Sequence, residues 1–182
     1  KNSNFSINTE TEARNWILSK PDAYCNTSDV NVLQTILPDF DRETADFYRW
    51  KVNYKRDELE GLLYKKSGFD FGELRAIEPL ERGPSGRITR LKISGTRRTV
   101  IVGKELEIRR WLAPSHLYSS AFIISTSDDE KGLPGIFTFY GAGWGHGVGL
   151  CQIGAAVMAI KGISYEEILH HYFRGIQIVK LY

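Results

Sequence analysis

Cysteine and methionine are scarce in this sequence, with two and one residues, and proline is limited to six. No apolar run approaches the roughly 20 residues that a membrane-spanning helix needs. Two cysteines, Cys25 and Cys151, are too few for a disulfide-built scaffold. One bridge, two thiols or a thiolate ligand all remain open, because spacing does not choose among them. A surplus of one charge is also lacking. Lys and Arg number 24 against 22 Asp and Glu, for a formal net charge of +2. No global field therefore favours a nucleic acid, and none is expected as a partner. Internal repeats and low-complexity tracts are absent. The chain opens on Lys1-Asn2-Ser3-Asn4, without an initiator methionine or an apolar leader, so a processed or truncated piece is expected.

What is present is enough for a folded core. Hydrophobic residues make up 42% of the 182 residues and charged residues 25%, which excludes a disordered chain. Residues 1–45 read as an irregular N-terminal segment of the same domain, with a short helix over Thr11–Ser19 stopped by Pro21 and a mildly apolar stretch over Val30–Leu37. From residue 46 the patterns sharpen. Tyr48, Trp50, Val52 and Tyr54 alternate with polar residues, the period of a half-buried strand. Asp57 with Glu60 predicts a capping box opening a helix with a Leu59, Leu62, Leu63 stripe. Ile88–Ile93 and Thr99–Val102 predict a hairpin, and a helix with Leu106, Ile108, Trp111 and Leu112 follows Gly103. Ala121–Ser125 and Ile136–Tyr140 read as strands, Gln152–Lys161 and Tyr165–Tyr172 as helices, and Ile176–Lys180 as a closing strand. Ser164 with Glu167 forms a further capping box. These elements predict a single α+β domain of mainly antiparallel strands packed with several short helices.

The most unusual stretch is 141–149, where glycine occupies every second position. If it is extended, the glycines share one face that another group can approach closely, and Trp144, His146 and Val148 share the other. If it turns, glycine supplies the positive φ angles. The ladder lacks the Gly-Lys-Ser/Thr ending of a phosphate loop and does not sit in a repeated βαβ pattern, so neither nucleotide motif applies. His146 is the polar residue this backbone presents, either as a hydrogen-bonding or proton-carrying group or as a buried histidine satisfied by backbone.

Gly145-His146-Gly147-Val148-Gly149-Leu150-Cys151-Gln152-Ile153-Gly154-Ala155 resembles the signature of the SpoIID/LytB family, roughly Gly-His-Gly-Val-Gly-Met-Ser-Gln-Tyr-Gly-Ala. Met158-Ala159, Gly162, Tyr165, Ile168-Leu169-His170-His171-Tyr172 and Gly175 fit the family's tail. Arg82, Ser85-Gly86-Arg87, Ile93-Ser94-Gly95, Gly103-Lys104-Glu105-Leu106, Trp50-Lys51-Val52 and Glu58-Leu59 fit its middle. The resemblance runs from residue 46 to 182 and makes that stretch the C-terminal portion of a SpoIID-like domain.

The resemblance implies a lytic transglycosylase of bacterial peptidoglycan. Such an enzyme cleaves the β-1,4 bond between N-acetylmuramic acid and N-acetylglucosamine, and the muramic 6-hydroxyl replaces water to leave a 1,6-anhydro end. It implies glycan strands as partner, an extracytoplasmic place at the cell wall or membrane, and a link to spore engulfment. The alternative is a non-catalytic wall-binding module that enhances an amidase, with that amidase as a partner. The family's catalytic glutamate lies in a segment resembling Ala-Ala-Glu-Met-Pro, which this chain does not contain. It is therefore expected upstream, no catalytic residue is assigned within the chain, and enzyme status is left open. His146, Gln152, Tyr172 and Arg174 are the candidate substrate-binding residues, and Gly145, Gly147 and Gly149 the loop-forming ones. Cys151 and Ile153 stand where the signature has Ser and Tyr. No cofactor is expected. Zinc held by His146, Cys151 and one of His170 and His171 is the minority reading, since no short ligand spacing supports it. Arg82, Arg87 and Arg90 either attract an anionic glycan or cover the hairpin.

Overall fold

The computed structural model describes Ile7 and residues 9–36 and 48–179. The helices are α1 (Glu10–Leu18), α2 (Val30–Ile36), α3 (Arg56–Ser67), α4 (Glu105–Trp111), α5 (Gln152–Ile160) and α6 (Tyr165–Tyr172). The strands are β1 (Arg49–Lys55), β2 (Leu74–Arg82), β3 (Ile88–Gly95), β4 (Thr99–Gly103), β5 (Phe122–Asp128) and β6 (Pro134–Ala142). All pairings of named strands are antiparallel, in two three-stranded sheets ordered β1-β6-β5 and β2-β3-β4. The α+β class read from the sequence is the one observed. Among the described residues, no helix is long and apolar enough to cross a membrane.

The chain groups into two compact units, one drawn from residues 1–20 and 49–146, the other from 21–48 and 147–182. The first unit holds both sheets with α1, α3 and α4. Its main core joins Trp50, Leu59, Leu63, Leu91, Ile108 and Phe139 with their neighbours. The alternation at 48–54 does what it predicts: Trp50 is buried and Val52 and Tyr54 pack against that core, while Lys51 and Asn53 face out. A smaller cluster forms where Ala13 and Ile17 of α1 meet Ile7, Ile123 and Ala142.

Local chemistry sets the element ends. Thr9 and Glu12 form a reciprocal capping box at the start of α1. Helix α3 begins earlier than Asp57. Its cap is Lys55, whose amide donates to Glu58 at 3.0 Å. Glu60, read as the other half of a box, instead accepts from the Leu74 amide at 2.8 Å, tying α3 to β2. Gly68 closes α3 with φ 75°, a left-handed conformation that glycine adopts without a Cβ penalty.

Two strand readings need correction. Strand β2 was not predicted, because Pro79 and repeated charges hide its pattern and its pairing with β3 is interrupted by three register shifts. An edge position tolerates that proline, since no neighbour needs its amide. Ile176–Val179, predicted to be strand, pair with no strand among the described residues, and Lys180 lies outside them. Alternation alone does not make a strand, which also needs a ladder partner.

The second unit is helical. Helix α2 packs on α5 and α5 on α6. Among the described residues, Val32, Leu33, Val157, Met158 and Ile168 are its buried side chains. Ser164 and Glu167 cap α6 as the sequence implies, with the Ser164 amide donating to Glu167 at 3.1 Å.

Candidate functional site

The glycine ladder follows both readings in turn. Gly141 lies inside β6, opposite Trp50 on one side and Phe122 on the other. A Cβ there would overlap the six-membered ring of Trp50, so this glycine serves close approach. From Gly143 the backbone turns. Gly143, Gly145, Gly147 and Gly149 have φ of 69°, 78°, 70° and 86°. The extended reading therefore ends at Ala142, and the loop-forming role given to Gly145, Gly147 and Gly149 has a conformational cause.

In the first unit this loop is tied down on several sides. The Trp50 indole donates to the Gly143 carbonyl at 3.0 Å, and the Ser119 hydroxyl to that of Ala142 at 2.8 Å. The Gly145 amide donates to the Tyr118 carbonyl at 2.8 Å, and Arg87 Nε donates to the Gly145 carbonyl at 3.2 Å. The result is a graded row of inclined aromatic rings. Trp144 packs on Tyr118 with ring centroids 4.8 Å apart, and Tyr118 packs on Trp50 at 5.4 Å. Trp50 is buried, Tyr118 half-buried, and Trp144 39% exposed. His146 is also exposed, which removes the buried-histidine reading.

Charges gather beneath the loop. Burial pulls the Arg87 pKa below its ordinary value; the Glu105 carboxylate opposes that shift and Arg109 adds to it. Glu105 pairs with Arg109 at 3.2 Å, and Glu107 with Arg110 at 2.6 Å. Both carboxylates are thus committed within α4. Lys104, just before that helix, is the only described non-glycine residue with positive φ, at 66° with ψ 126°. A side chain held there stores backbone strain beside Glu105.

The three hairpin arginines have different fates. Arg82, 2% exposed at its side chain, is forked onto Glu10 and donates to the carbonyls of Gly86 at 2.7 Å and Phe122 at 2.8 Å. It is a structural clamp rather than a ligand group. Arg87 supports the loop, and exposed Arg90 pairs loosely with Glu81 at 3.9 Å.

The other predicted site residues fall in the second unit. Gln152 is the exposed first residue of α5, and Arg174 is exposed beyond α6. Tyr172 is half-buried, edge-on to His171 with centroids 4.9 Å apart. Its hydroxyl lies over Gly154, where a Cβ would collide with it. This tyrosine lines an open cavity of about 820 Å³ together with Tyr24, Cys25, Cys151, Lys161 and His171. Cys151 occupies the N-cap position of α5, with Cys25 and the Ile153 and Gly154 amides near its sulfur. Those contacts, the Cys25 one first, pull its pKa from 9.0 to about 6. Burial and the neighbouring sulfurs push the Tyr172 phenol up to about 12. Among the described residues, no cluster of three His, Cys, Asp or Glu is placed to hold a metal ion.

Sequence reasoning missed the packing of Trp144 on Tyr118, and it left the pairing of Cys25 with Cys151 open. The first had a visible signal, an aromatic residue set between two glycines. The second could not be decided from spacing, because the two cysteines lie in opposite halves of the chain.

A family model described as a domain of unknown function (DUF8618) matches residues 4–149. Among curated proteins, an uncharacterized protein of Brachyspira hyodysenteriae is 38% identical over 95 residues, which is 52% of this chain and 23% of that protein. Stage II sporulation protein D of Bacillus amyloliquefaciens is 38% identical over 79 residues, 43% of this chain and 21% of that protein. An amidase enhancer of Bacillus subtilis is 33% identical over 66 residues, 36% of this chain and 9% of that protein. The last two bear out the SpoIID/LytB resemblance. The chain spans less than a quarter of the length of each of these relatives.

Proposed function

The chain belongs to the DUF8618 family, and from that membership and its likeness to stage II sporulation protein D and an amidase enhancer we propose that it is part of an extracytoplasmic protein acting on bacterial peptidoglycan. Its own share is to hold the glycan strand. Trp144 carries this reading: it is 39% exposed, packs on Tyr118, and sits on a loop pinned by Trp50 and Arg87. An indole face stacks on the C–H surface of a pyranose ring, and its fixed position limits the entropy lost on binding. Exposed His146, two residues on, offers hydrogen bonds to sugar hydroxyl and acetamido groups. On the second unit, exposed Gln152 and Arg174 supply groups of their own, Arg174 suiting the lactyl carboxylate of muramic acid. Tyr172 contributes as a cavity wall.

In the whole protein the proposed reaction is lytic transglycosylation. One carboxylic acid protonates the leaving glycosidic oxygen and then accepts the proton of the muramic 6-hydroxyl. That acid would come from a segment other than this chain. Here Glu105 and Glu107 are engaged with arginines of their own helix, and Glu167 caps α6. The same observation favours a second reading, a binding module that assists a wall amidase. Digestion of purified sacculi separates them. A protein containing this chain that releases muropeptides with 1,6-anhydro ends supports the transglycosylase. Glycan binding without such products supports the module.

A further inference from the structure

The second unit carries a pair of sulfurs that the glycan reading does not use. Cys25, in the segment between α1 and α2, and Cys151, at the cap of α5, are not joined by a disulfide, and both are partly exposed. Their side chains are hydrogen-bonded to each other, so the sulfurs are already neighbours although their positions are remote in sequence. Both line the open cavity of about 820 Å³, which gives a small reagent access. The surroundings distinguish the two. Cys151 stands at the N-cap of α5, and a helix start stabilises an anion. Gly154 is what leaves room here. A Cβ there would sit 3.6 Å from the Cys151 sulfur and collide with the Tyr172 hydroxyl.

We propose that Cys151 and Cys25 are a redox-active dithiol that closes into an intramolecular disulfide by exchange with a small disulfide oxidant, Cys151 attacking and Cys25 resolving. In the first step the Cys151 thiolate attacks one sulfur of R–S–S–R. The oxidant's sulfur–sulfur bond breaks, a mixed disulfide forms on Cys151, and RS⁻ leaves. Cys25 then loses its proton to water and attacks the Cys151 sulfur, breaking the mixed disulfide and expelling the second RS⁻. Two electrons pass from the protein to the oxidant, and two thiols RSH are the product. Closure covalently links the two stretches of chain, 21–48 and 147–182, from which the second unit is drawn.

The test treats the 182-residue chain with oxidised glutathione. The expected product is a monomer lighter by two hydrogens, with no thiol titratable after denaturation and a single Cys25–Cys151 peptide pair on mapping. Cys25→Ser should stop at a glutathione adduct on Cys151, and Cys151→Ser should react more slowly, at Cys25. The proposal is overturned if both thiols persist in the wild-type chain, if a glutathione adduct accumulates there without closing, or if only intermolecular disulfides form. Mapping of the wild-type product decides the matter even where a serine variant folds poorly.

Discussion

The indole of Trp50 occupies the space that a side chain on Gly141 would need. The two residues face each other across the β1–β6 ladder, and a Cβ at 141 would overlap the Trp50 ring. The same indole donates its N–H to the Gly143 carbonyl at 3.0 Å. One pair therefore fixes both the packing of the sheet and the start of the loop that carries Trp144. Gly141→Ala should cost about 3 kcal/mol, the upper end of the overpacking range, because the site has no room to relax. Urea unfolding measures this, and an unchanged midpoint would contradict the packing account.

Gly145 makes the contrast. Its φ is 78°, yet a Cβ there would meet nothing within 4 Å. Gly145→Ala should lose only about 1–2 kcal/mol, from the left-handed conformation alone. A loss as large as that of Gly141→Ala would show that the space around the loop is tighter than described.

Lys104 tests the reverse case. A lysine holds φ 66° and ψ 126° immediately before α4. Lys104→Gly should raise stability by roughly 1 kcal/mol, since glycine relieves the strain at some cost in chain entropy. A fall in melting temperature would show that the lysine side chain contributes more than its backbone costs.

These three positions show how far the sequence could be read. Glycine every second residue announced an unusual backbone at 141–149, but residue types alone left two geometries open, and the chain uses close approach at 141 and positive φ from 143. The alternation at Tyr48–Tyr54 was legible because burial on one face imposes it. Strand β2 was illegible because an edge strand with bulges and Pro79 obeys no period. The apolar pattern at 176–179 looked like a strand because alternation does not reveal whether a partner exists. Arg82 looked like a surface cation, and only tertiary structure shows it buried against Glu10.

The Cys151 thiol should titrate far below an ordinary cysteine. Around it stand Cys25 and Tyr24 from the 21–29 segment, Tyr172 and His171 from α6, and Lys161 at the end of α5. Its iodoacetamide reaction rate should rise with a midpoint near pH 6, and Cys25→Ser should move that midpoint upward, because the Cys25 hydrogen bond is the largest cause of the shift. The stability sign follows. The folded pKa of about 6 lies below the ordinary 9.0, so this group's contribution is complete above pH 9 and is lost as pH falls through about 6. A midpoint near 9 for the wild-type chain would remove the account of this thiol.

Binding to purified peptidoglycan sacculi tests the central claim most directly. In a sedimentation titration the wild-type chain should bind. Trp144→Ala should bind roughly tenfold more weakly, the loss of about 1.4 kcal/mol of ring stacking, while staying folded under the assay conditions. Equal binding by the two proteins, or no binding by the wild-type chain, would contradict a glycan-holding role for the Trp144 loop.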